Sequence, residues 1–173
     1  MWGKGKRIIM PNIHPIVIHF PIAFLIAAFI CELIGHFLNQ NYFKKTAKWT
    51  LLIGTIGLGV AAFTGWWGHK TVSHSESSYA LIEQHQKLGF ITLGLFTFLV
   101  LLQFVALPKV EKKRKIILFI MFINIVGLGL MTWGAHLGGR LVYEMGVGVQ
   151  SVDHSNSIET PQIDDEFEKL LSE

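Results

Sequence analysis

His14 to Ile30 reads HPIVIHFPIAFLIAAFI, two histidines and two prolines at the head of a run that otherwise suits hydrocarbon. A run of this kind continuing to Phe37 is long enough to cross a bilayer, which takes about 20 residues of helix. Lys4, Lys6 and Arg7 precede it in the manner of a secretory leader. The apolar part is too long for one, however, and no small-x-small cleavage site follows before Glu32, so the segment is read as a retained helix. An imidazole is costly in such a place. The positions of the other histidines decide what His14 and His19 are for.

Three more apolar stretches follow, giving spans near 15–37, 47–68, 87–107 and 115–138. The expected fold is an all-α, four-helix transmembrane bundle over residues 1–149. Its composition agrees: of 173 residues 51% are hydrophobic and only 16% charged, where a soluble domain carries about 25% charged. The single cysteine, Cys31, excludes an intramolecular disulfide and any Cys-x-x-Cys motif. A net charge of +3, spread through short linkers, points to a lipid bilayer and not to nucleic acid. The basic residues are most concentrated in the linkers after the first and third spans, around Lys44 and Lys112. That places both termini on one side, the periplasmic side of a bacterial inner membrane. Residues 150–173 form an acidic tail expected to be largely disordered. In it, TPQIDDEFEKLL can form one short helix capped by Thr160 and dock a partner protein through Ile163, Phe167 and Leu170.

Helix alternation then gathers the histidines. His14 and His19 begin the first span, His69 ends the second, His85 precedes the third and His136 lies near the end of the fourth. All of these reach one membrane face, with His74 in a linker there, while His36 lies at the other face and His154 in the tail. Residues four apart share a helix side, so each histidine continues a stripe of small residues. Ala23 and Ala27 follow His19; Gly65, Ala61 and Gly57 precede His69; Gly89 and Thr92 follow His85; Thr132 and Gly129 precede His136.

Two readings fit. Small stripes let membrane helices approach, with polar groups bonding across them. Alternatively they make room for a flat cofactor that the histidines ligate. The second reading makes His19 and His85 an opposing pair of ligands for b-type haem, with His136 and His69 as a second pair or as support. For zinc or copper, His14, His19, His85 and His136 offer three or four imidazoles. Arg140, one turn beyond His136, suits a haem propionate or a lipid headgroup. Tyr143 and Glu144 are supporting partners if RLVYEMGVGV turns back over the histidine face, the turns being expected at Gly138, Gly139, Gly146 and Gly148. Pro21 cannot donate to the Val17 carbonyl, which loosens the helix around His19 and frees an acceptor for an imidazole. GLGVAAFTGWWGH and GLGLMTWGAH end the second and fourth spans, a faint parallel repeat of two hairpins.

The runs HPIVIHFPIAF and GAHLGGRLVYEMGVGV resemble the recurrent marks of the domain-of-unknown-function 2231 family of bacterial four-helix membrane proteins. The resemblance spans His14 to Val149. His14, His19, His85, His136 and Tyr143 fall on matching positions, whereas Glu144-Met145 stands where relatives often carry Arg-His. Some relatives look fused to Rieske or c-type cytochrome modules, which implies a respiratory setting and a redox partner protein. The resulting expectation is an electron carrier or membrane subunit, without bond-making chemistry on a substrate. The competing reading is a non-redox membrane scaffold or small transporter subunit.

Overall fold

The computed structural model describes residues 13–71, 76–106 and 114–147, with side chains for 13–68, 78–105 and 114–147. The side chain of His69, His74 and the whole acidic tail lie outside the described residues. Helices α1 (His14–Val17) and α2 (His19–Phe37) form the first span, α3 (Asn41–Thr71) the second and α4 (Glu76–Leu101) the third. A π-helical segment, Leu102–Ala106, extends α4, and α5 (Arg114–Tyr143) is the fourth span. Four segments are thus long and apolar enough to cross a membrane.

The helices outrun the hydropathy limits because polar turns carry them beyond the lipid. α3 starts at Asn41, and α5 continues through Gly138 and Gly139 without a turn. Helix α5 stops instead at Gly146, whose φ of 63° suits a residue without a Cβ. There the Gly146 and Val147 amides donate to the carbonyls of Val142 and Leu141. At the other face Asn39 takes the same left-handed conformation, and the Gln40 amide closes α2 on the Gly35 carbonyl.

α1 and α2 pack on α3, and α4 packs on α5, so the chain makes two helical hairpins; α3 meets α4 and α2 meets α5 between them. Leu25, Leu51, Leu58, Phe96, Leu99 and Ile120 build the main core. Leu81, Ile82, Leu137 and Leu141 form a smaller one at the histidine end of the second hairpin, with Val147 packed on it. Close approach depends on glycine. A Cβ on Gly35 would stand 2.8 Å from the Lys44 backbone nitrogen, and one on Gly127 2.8 Å from Phe96. Outward surfaces are apolar (Phe37, Phe63, Leu101, Phe122, Trp133), as lipid contact requires. Thr50, Thr55, Thr92 and Thr132 return their hydroxyl protons to carbonyls four residues back, which satisfies these four donors within their own helices.

Candidate functional site

Pro21 loosens the first span where expected. Helix α1 gives way to α2 at Ile18, and the Ile22 amide reaches the Ile18 carbonyl only at 3.4 Å. His19 responds locally: its Nδ1–H donates to the carbonyl of Pro15 at 2.7 Å, rather than to that of Val17.

Beside this joint lies a cavity of about 480 Å³ between the two hairpins. Four spans line it, with His14, His19, His85, Trp66, Thr92 and Tyr143 among the lining side chains. Glycines and alanines supply much of the wall, including Ala62, Gly65, Gly89, Gly134, Gly138 and Gly139. At Gly89 and Gly139 a Cβ would meet nothing within 4 Å, so part of the stripe does face open space.

His14 and His85 meet across the cavity with ring centres 6.1 Å apart and planes at 81°. The Nδ1–H of His14 donates to the Ala61 carbonyl at 2.8 Å, with the Thr64 hydroxyl 3.3 Å from the same nitrogen. The Nδ1–H of His85 donates to the Gly134 carbonyl at 3.0 Å. A carbonyl only accepts, so the proton resides on Nδ1 and a neutral ring keeps its lone pair on Nε2. Carbonyl partners of this kind fix the rings of metal-bound histidines.

The two halves repeat this arrangement. One turn beyond Ala61, a Cβ on Gly65 would stand 3.1 Å from His14 Cε1; one turn beyond Gly134, a Cβ on Gly138 would stand 3.2 Å from His85 Cε1. Each hairpin thus opens with a histidine hooked onto the returning helix above a glycine. In this register Ala61 matches Gly134 and Gly65 matches Gly138. His69 and His136, matched by the two similar sequence runs, are not equivalent.

The other expected groups lie elsewhere. His19 lines the cavity, but the ring facing His85 is that of His14. His136 is exposed beside Trp133, with ring centres 5.9 Å apart, and does not line the cavity. Arg140 Nε pairs with Glu144 Oε2 at 2.8 Å along α5, so these two groups serve each other. Tyr143 reaches the cavity rim while 90% exposed. No group of three or more His, Cys, Asp or Glu side chains placed to hold a metal ion occurs among the described residues.

A family model described as "Predicted membrane protein (DUF2231)" matches residues 10–151. The chain belongs to the DUF2231 family. Neither a curated protein nor a solved structure matches it. Both histidines of the facing pair and the glycines beneath them fall within the matched part of this DUF2231 protein.

A second polar group, absent from the histidine-centred reading, lies at the opposite face of the DUF2231 bundle. Glu32 of α2, only 6% exposed, accepts from Asn124 Nδ2 of α5 at 2.6 Å and from Gln103 Nε2 of the π-helical segment at 3.3 Å. The sequence signal was a lone acid within an apolar run, FICELIG, together with amides inside the third and fourth spans.

Proposed function

We propose that the cavity binds a b-type haem, which His14 and His85 would hold, and that the protein carries electrons in a respiratory membrane. The supporting observation is the pair of carbonyl-anchored rings facing each other across a glycine-lined space. Their ring centres stand 6.1 Å apart, and these two rings are the ones that would hold the group's metal. The donor count distinguishes the candidates. Structural zinc takes four protein ligands, whereas two imidazoles suffice when a porphyrin brings its own equatorial nitrogens. Haem therefore fits better than a bare zinc or copper ion. The bound group would supply a one-electron couple. The protein's own part is to hold both rings, exclude water with Ile22, Leu58 and Met131, and admit the macrocycle over Gly89 and Gly139.

The deciding experiment is an absorption spectrum with metal analysis of protein purified from membranes supplied with haem. A Soret band that shifts on reduction is expected. His14→Ala and His85→Ala should each abolish it or reduce occupancy at least tenfold, while His36→Ala should retain it. His19→Ala should keep most of the haem, since the ring that faces His85 is that of His14. A colourless parent protein would overturn the proposal in favour of the scaffold or transporter reading.

A further inference from the structure

Glu32 is buried toward the face opposite the His14–His85 pair, where residues of four spans meet. Asn124 is 1% exposed and meets Glu32 through one end of its amide. The two ends of a primary amide are alike in shape and are assigned from their partners. The 2.6 Å contact between Asn124 and Glu32 is short for N–H···O and ordinary for O–H···O. With the amide turned over, a protonated Glu32 donates to Asn124 Oδ1 at that distance, and Gln103 still donates to the other carboxyl oxygen. A neutral acid is also the cheaper form in an apolar layer.

A route to this carboxyl exists. A recess of about 30 Å³, room for a water, is lined by Glu32, His36, Lys44, Lys48 and Gln103. Among the described residues, the titratable groups lining it beside Glu32 are His36 from α2, and Lys44 and Lys48 from α3. α5 contributes isoleucines to the recess and Asn124 to the carboxyl. Lys44 Nζ donates to Asn39 Oδ1 at 2.7 Å, and Lys48 Nζ donates to the Gln103 carbonyl at 3.2 Å. The π-helical turn carries Gln103 to this point, and such turns often mark functional positions.

We propose that Glu32 is a proton-binding site that exchanges with water at the membrane face bearing the α2–α3 turn, through the recess lined by His36 and Lys48. The proton comes from water, binds one carboxylate oxygen and returns to water; no electron moves and no other bond changes. The site is independent of what the histidine cavity holds.

The test is infrared difference spectroscopy, acid minus alkaline, on the full chain in lipid vesicles. The carboxylic-acid carbonyl signal should be larger in the parent than in Glu32→Gln by the contribution of one acid, and that contribution should shift in frequency in Asn124→Ala, which retains the acid. Acids elsewhere contribute equally to all three proteins and cancel between them. A band unchanged in Glu32→Gln overturns the proposal. If Glu32→Gln does not fold, an unshifted band in Asn124→Ala does so instead. A difference spectrum that follows sodium concentration at fixed pH would make the site one for a cation and would likewise overturn it.

Discussion

Gly65 and Gly138 are where single atoms matter most. Each lies under a histidine ring, and a methyl group there would press on Cε1 at 3.1 or 3.2 Å. Because the ring is hooked to a carbonyl one turn away, it cannot withdraw without losing that bond. Gly65→Ala and Gly138→Ala should therefore each lower haem occupancy severalfold, read from the Soret absorbance per protein. Gly129→Ala is the comparison: nothing lies within 4 Å of its Cβ position, and alanine is the better helix former by about 1 kcal/mol. It should leave occupancy unchanged. Equal losses in all three variants would mean that the glycines do not shape the site. Sequence spacing exposed the stripe at Gly65 and gave it two uses, helix approach or cofactor clearance, while Gly138 was expected to turn the chain. At Gly65 and Gly138 the missing side chain gives clearance to the two histidine rings themselves, a contact between separate helices that spacing along one helix does not reveal.

At the scale of elements, hydropathy found all four spans because lipid demands continuous apolar surface whatever the packing. It missed the helix ends, since NYFKKT and ESSYAL are helical yet polar. It also missed which histidines meet. Alternation brings His14, His19, His85 and His136 to one face, but which of His14 and His19 turns toward His85 is set at the break between α1 and α2 at Ile18. The glycine contacts between elements lead to another prediction. A Cβ on Gly35 would press on the Lys44 backbone, which has no rotamer to yield. Gly35→Ala should destabilise the α2–α3 hairpin by about 1–3 kcal/mol, seen as a lower midpoint in thermal unfolding in detergent. Gly59→Ala, whose nearest neighbour is 3.9 Å away, should change the midpoint little or raise it. Leu101→Ile, on a side chain 55% exposed toward lipid, should also be mild. An unshifted midpoint in Gly35→Ala would refute the close approach.

For the whole molecule, four spans put the start of α1 and the end of α5 at one face and the α2–α3 turn at the other. With Cys31 replaced by serine, a cysteine at Asn41 and one at Ser157 should react with an impermeant thiol reagent from opposite sides of sealed vesicles. Reaction of both from one side would rule out the four-span arrangement. The concentration of lysines after α2 and before α5 predicts Asn41 on the cytoplasmic side, and the labelled side will show it.

The fastenings differ between the two ends. At the Glu32 end, hydrogen bonds from Asn124 and Gln103 cross from one hairpin to the other. At the histidine end, His14 bonds to the Ala61 carbonyl of the first hairpin and His85 to the Gly134 carbonyl of the second, and the two rings face each other. Mechanically this is a pair of tongs, pivoted at the carboxyl and gripping with the imidazoles. Whatever bridges the rings closes the tongs, so a ligand measured at one face should be felt as stiffness along the whole length of both arms.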